Sequence, residues 1–243
     1  MTTTPPPAAS SVTLEQPVIF YPGTLCDERV FMPCWRAIDI PKRAFVPLQW
    51  AESLEQMLAL SHDRLDYFDE PVHLVGFSMG GYVAALTALE QPNRVASLTL
   101  IGSYPGQFDQ QERQARNNII QAIKNKKYQG MSDNRLKQFV LSVDNSQVID
   151  IIKAMESDLG PAVLAAQMAA LSEREDLTAR LANANFTLHL LVGEQDKIAP
   201  PSKITALGAG LSKSRLQIFD AAAHMLPLEQ PAALAQYFAE NFS

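Results

Sequence analysis

Apolar positions along the chain gather into short runs rather than long alternations. Six runs are rich in Val, Ile, Leu and Phe: PVIFYPG (17–23), RAFVPLQ (43–49), VHLVGF (72–77), SLTLIG (97–102), TLHLLVG (187–193) and RLQIFD (215–220). Runs that are apolar throughout fit strands covered on both faces, as in a parallel sheet. Between them the spacing predicts helices over roughly 51–66, 79–90, 203–211 and 231–241. Strand–helix alternation with right-handed crossovers builds a mostly parallel sheet of about six strands flanked by helices, an α/β core.

The rhythm breaks once. From Ser103 to Asn185 there is no convincing strand, only helical patterns punctuated by Tyr104-Pro105-Gly106, Gln129-Gly130, SVDNS (142–146) and Leu159-Gly160-Pro161. This stretch is too long for a loop and carries too little core for a domain of its own. The expected organisation is a helical insertion, 103–185, between two parts of the core, 17–102 and 186–243. A tail at 1–16 opens with MTTTPPPAASS, a composition that buries little and predicts disorder. Open α/β sheets bind ligands outside the carboxyl ends of their strands. An insertion leaving a strand end therefore roofs that site.

Composition narrows the function. At 243 residues and 47% hydrophobic, the chain can bury a two-sided core without staples. A formal charge of −6 argues against general nucleic-acid binding. Two cysteines, Cys26 and Cys34, make no disulfide framework, and no Cys/His cluster has zinc spacing, so a reducing compartment is expected. The N-terminus lacks a signal-peptide pattern, and no segment reaches the roughly 18 apolar residues of a membrane span. The expectation is a cytoplasmic protein with no membrane partner.

Candidate chemistry centres on LVGFSMGGYV (74–83). A serine hydroxyl becomes a nucleophile when a base takes its proton, and the base works best when a third group fixes its tautomer. Gly76-x-Ser78-x-Gly80, between an apolar strand and an apolar helix, has the strand–turn–helix context that holds such a serine exposed. Among the four histidines, His73 and His189 lie within strand patterns and His62 in an exposed helical stretch. His224, in AAAHMLPLEQP, follows a strand's carboxyl end, the same sheet edge as Ser78. The orienting acid is expected past LLVG, where Asp196 is preferred and Glu194 is the alternative. An oxyanion site needs two N–H groups. Met79 supplies one, and the Tyr21-Pro22-Gly23-Thr24-Leu25 loop the other, from Thr24 in preference to Leu25.

GFSMGG, LLVGEQD and AAAHMLPLEQP, in that order at strand ends, resemble the α/β-hydrolase superfamily over almost everything after residue 16. The likeness is greatest to small serine esterases with a helical cap, the type that includes pimeloyl-acyl-carrier-protein methyl ester esterase. The resemblance departs at Pro22-Gly23, where the family carries His-Gly, and at Ala223, where it carries Gly. Little chain is also left before PVIF for opening antiparallel strands. The resemblance implies hydrolysis of a carboxylic ester or thioester through an acyl-enzyme, with no metal or organic cofactor. A non-catalytic binder on the same fold, or a perhydrolase or carbon–carbon hydrolase using the same three residues, are its alternatives. Residues 113–137 hold seven Lys/Arg and one Asp. That segment is either a solvated helix face or a docking surface for an acidic acyl carrier protein or coenzyme A phosphates. Met131, Met155 and Met168 are candidates for an adaptable apolar pocket or for simple core filling.

Overall fold

A computed structural model describes residues 12–242. Six strands form one fully parallel sheet: β1 (Val18–Tyr21), β2 (Arg43–Phe45), β3 (Val72–Phe77), β4 (Val95–Ile101), β5 (Thr187–Gly193) and β6 (Ser214–Phe219). Their order across the sheet is β2-β1-β3-β4-β5-β6. Core helices are α1 (Met32–Trp35), α2 (Leu54–Asp66), α3 (Met79–Glu90), α8 (Pro201–Ala209), α9 (Leu226–Glu229) and α10 (Pro231–Asn241). Between β4 and β5 run α4 (Gln110–Lys124), α5 (Asp133–Phe139), α6 (Ser146–Ala170) and α7 (Thr178–Ala182).

The all-apolar runs become strands because both faces are covered. On one face Ile19, Leu74, Leu98 and Leu190 pack with Met57 of α2, Tyr82 of α3 and Ile204 of α8. On the other, Phe20, Val75 and Leu191 pack with Phe31, Cys34 of α1 and Phe238 of α10. Polar caps set the helix starts. Ser53 accepts from the Gln56 N–H to open α2, and Asp109 with Glu112 forms a reciprocal box at α4.

Strand order decides where a site can lie. The chain steps outward from β1 to β2, then returns past β1 to β3 and continues to the far edge. The loops after β1 and β3 therefore diverge to opposite faces, leaving a crevice at the carboxyl edge. Ser78 and the Thr24 loop both open on it.

Two expectations are corrected. The tail at 1–16 does not extend so far: residues 1–11 lie outside the described chain, but Thr13 bridges Asp39 in parallel and Leu14 is buried. Burying one leucine and pairing its N–H with the Asp39 carbonyl at 2.8 Å anchors this segment. The second strand stops at Phe45 rather than running to 49, because Pro47 carries no N–H for a ladder and Leu48–Trp50 turns into a 3-10 helix. Among the described residues the sheet has no antiparallel strand.

His73 and His189 are buried beneath the sheet, as their strand positions predict. His73 Nδ1 lies 2.7 Å from Ser97 Oγ and its ring stacks on Phe242; His189 Nδ1 lies 2.9 Å from Tyr237 Oη. Burial lowers both pKa values to about 4, with Arg215 and His73 adding to the effect at His189. An unfolded chain takes up these protons near pH 6.5 and the folded one only near 4. Stability is therefore present above 6.5 and lost as the pH falls towards 4, by up to about 1.4 kcal/mol per histidine per pH unit. Urea midpoints should fall across that window, and a His73→Asn/His189→Asn variant should show a shallower slope; equal slopes would refute the assignment.

Candidate active site

Ser78 follows β3 without a spacer and heads α3 with φ 51° and ψ −116°, a region that residues other than glycine rarely occupy. Close backbone approach makes this turn possible. A Cβ on Gly76 would lie 2.4 Å from Gly81 Cα, and one on Gly80 2.4 Å from both the Tyr21 and Pro22 carbonyl oxygens. The Ser78 N–H donates to the Ile101 carbonyl at 2.9 Å, and its own carbonyl accepts the Ser103 hydroxyl at 2.7 Å. The turn is thus tied to the end of β4, and its strain is held by two neighbouring strands.

Two later strand ends bring up the partners. His224, in the loop between β6 and α9, sets Nε2 3.0 Å from Ser78 Oγ and Nδ1 2.9 Å from Asp196 Oδ2. Asp196, in the loop after β5, accepts the N–H groups of Ile198 and Ala199 on Oδ1, each at 2.8 Å. Its carboxylate is fixed by those two bonds, which leaves Oδ2 for the Nδ1–H of His224. That tautomer turns the Nε2 lone pair towards the serine. Glu194, the alternative acid, is exposed. Phe77 and Phe139 flank the His224 ring at 5.2 and 5.6 Å between centroids. Glu229, whose carboxyl burial pushes up, accepts from the Ala223 and Leu141 N–H groups and steadies the histidine loop.

In the loop after β1 the two candidate N–H groups differ. The Leu25 N–H already donates to Gln167 Oε1 at 3.0 Å. Among the described residues nothing accepts from Thr24 N–H, and Thr24 lines the same cavity as Ser78 and Met79. Met79 begins α3, where backbone N–H groups and the helix dipole favour negative charge.

Helices α4 to α6 and the strand-end loops enclose a cavity of about 400 Å³ beside Ser78. Met131, Met155 and Met168 all line it. The basic segment 113–137 proves heterogeneous: Lys124, Lys126 and Lys127 are exposed away from the cavity, while the half-buried Arg116 and the exposed Arg135 line it. Arg174, on the link between α6 and α7, joins them there. Arg174 lies 3.6 Å over the Phe108 ring and Arg116 lies 4.4 Å over it. Desolvation lowers both guanidinium pKa values to about 10, and at Arg174 the nearby Arg116 charge lowers it further. Both remain cationic near neutrality. No sequence signal marked Arg174. Gln167 had one, since it is the lone polar residue of VLAAQMAAL (163–171).

Residues 49–231, more than half of the chain, match the family model described as Serine aminopeptidase, S33. The chain belongs to this family of α/β hydrolases. Among curated relatives, the 2-succinyl-6-hydroxy-2,4-cyclohexadiene-1-carboxylate synthase of Enterobacter sp. (strain 638) is 27% identical over 215 residues, 84% of this chain and 79% of the relative. Among solved structures, a thermophilic esterase from Thermogutta terrifontis superposes with a TM-score of 0.80 at 21% identity, covering 94% of this chain and 90% of that one. The esterase EaEST from Exiguobacterium antarcticum gives 0.75 at 17% identity, over 93% and 91%. At those identities the structural likeness is one of fold. Family and fold together make this α/β hydrolase an enzyme, and no helix among its described residues is long and apolar enough to cross a membrane.

Proposed function

We propose that this α/β hydrolase cleaves a carboxylic ester or thioester through an acyl-enzyme on Ser78, and that its small-molecule substrate carries an anionic group. The observation that carries the reading is the unbroken chain from Asp196 through His224 to Ser78 Oγ, opening on a cavity. In this mechanism Ser78 Oγ attacks the acyl carbon while its proton passes to His224 Nε2. The imidazolium is stabilised by Asp196, and the oxyanion by the N–H groups of Thr24 and Met79. His224 then returns the proton to the leaving alcohol or thiol. A water activated by the same nitrogen releases the acid and restores Ser78.

The anionic preference rests on the charge balance of the lining. Arg116, Arg135, Arg174 and Lys203 face the cavity against Glu112 and Glu156, and among the described residues none of the three arginines has a carboxylate partner. Arg116 and Arg174, half-buried and desolvated, carry a free-energy cost that an anionic ligand offsets. The test compares p-nitrophenyl esters of a dicarboxylic acid and of a monocarboxylic acid of equal chain length. Arg116→Met should raise KM for the half-ester by about 10- to 100-fold, the worth of one charged hydrogen bond, and leave the neutral ester nearly unchanged. Equal effects on the two would remove the anion preference. Absence of any acyl-enzyme mass adduct across an ester panel would remove the esterase mechanism itself.

A second reading draws on the synthase relatives, whose name describes a succinyl-bearing cyclohexadiene carboxylate. In that case the same His224–Asp196 pair moves a substrate proton and no acyl-enzyme forms. The mass-adduct experiment separates the two.

A further inference from the structure

Gln167 lies in the second half of α6, fully buried. Its Oε1 accepts the Leu25 N–H at 3.0 Å and its Nε2 faces the Leu48 carbonyl at 3.4 Å. A polar side chain at the apolar interface between insertion and core needs a reason, because its desolvation is repaid only by partners. The partner it has is the most strained peptide of the Thr24 loop. Residues 23–26 form a tight turn closed by the Cys26 N–H on the Gly23 carbonyl at 3.1 Å, and Leu25, third in that turn, has φ 52°. A positive φ at this position belongs to turns whose central peptide is inverted, and glycine is the residue that usually adopts it. The central peptide here is Thr24–Leu25. Its N–H is held by Gln167, and its carbonyl faces the Cys26 thiol at 3.5 Å. Leu25 also packs with Ile120, Leu164 and Met168 of the insertion.

We infer that Gln167 is a positioning residue for the oxyanion site: by holding the Leu25 N–H it keeps the Thr24–Leu25 peptide inverted, and so keeps the adjacent Thr24 N–H aimed at the oxygen beside Ser78. Without that acceptor, Leu25 relaxes towards negative φ, the central peptide turns over, and Thr24 shifts with it. The insertion thereby does more than roof the substrate. A helix break at Gly160, with φ 75° and ψ 174°, followed by Pro161 redirects α6 so that its second half meets the loop. The role rests on the serine-hydrolase reading, since only an oxyanion gives Thr24 its task.

The experiment uses the full chain with Gln167→Met, which keeps volume and loses the acceptor, and Gln167→Glu, which restores one. In hydrogen exchange the Leu25 amide should be protected in the wild type and exposed in Gln167→Met. The same variant should lose kcat by about 10²-fold, as for a misplaced or lost oxyanion donor, with KM within about threefold. Gln167→Glu should recover most of the loss. Inhibition by a trifluoromethyl ketone, whose adduct bears the oxyanion, should weaken in parallel with kcat. Unchanged Leu25 protection, or kcat per titrated active site equal to wild type, overturns the inference. A matched loss in Gln167→Glu overturns it also, since a packing role alone predicts that. Failure of the hydrolase reading has a different signature, because the wild type would then form no acyl-enzyme while Leu25 remained protected.

Discussion

Asparagine in place of Asp196 is expected to lower kcat about 10⁴-fold in a protein that still folds. The reason lies in how the carboxylate is held. Oδ1 accepts two backbone N–H groups, from Ile198 and Ala199 at 2.8 Å, so the amide oxygen of asparagine must stay on that side. Its NH₂ then faces His224 Nδ1, where the carboxylate oxygen lies at 2.9 Å in the wild type. A donor there favours the tautomer with Nδ1 unprotonated, which puts the hydrogen on Nε2 and points it at Ser78 Oγ. The base is lost although every atom keeps its place. Steady-state turnover of an activated ester measures the loss, and nitrogen chemical shifts of the His224 ring report the tautomer. Activity within tenfold of wild type would mean that another group, with Glu194 the nearest alternative in sequence, orients the histidine.

Replacing Ser78 with alanine has the largest expected effect, a fall in kcat of order 10⁶. His224→Ala should match it, and the double variant should be no worse than either single one. This non-additivity is the signature of groups that act as a unit: once the nucleophile is gone a base has no proton to take. The mass adduct formed with a slowly deacylating ester should vanish in Ser78→Ala while the melting temperature stays close to wild type. Additive losses in the double variant would indicate that His224 acts separately from Ser78, as in a proton-transfer reaction without an acyl-enzyme.

Much of the α/β architecture was legible because burial on both faces writes strands as apolar runs, and because Ser78 directly follows one such run while Asp196 and His224 lie in the short loops after two others. A residue at a strand's carboxyl end is placed by the strand itself. Glycines at 76 and 80 were legible for a similar reason, since the tight turn around Ser78 leaves no room for a Cβ. The two errors arose where local pattern competes with a partner distant in sequence. Leu14 is ordered by Asp39, and RAFVPLQ ends early because Pro47 interrupts pairing with β1. The heterogeneous basic segment belongs here too. Seven cations within 25 residues read as one surface, and only the winding of α4 and α5 brought Arg116 and Arg135 to the cavity wall.

What the sequence determined by itself was the α/β class and an ordered set of chemical groups at one edge of the sheet, because these follow from short-range periodicity and from chain order. The tertiary structure decided which groups meet. It joined His224 to Asp196 rather than Glu194, gathered Arg116 and Arg174 around Phe108 from either side of α6, and set Gln167 against Leu25 across a separation of 142 residues. Such contacts depend on the direction of each side chain and on how one helix is redirected at Gly160. No local pattern records those quantities, since they are fixed by the packing of the whole chain at once.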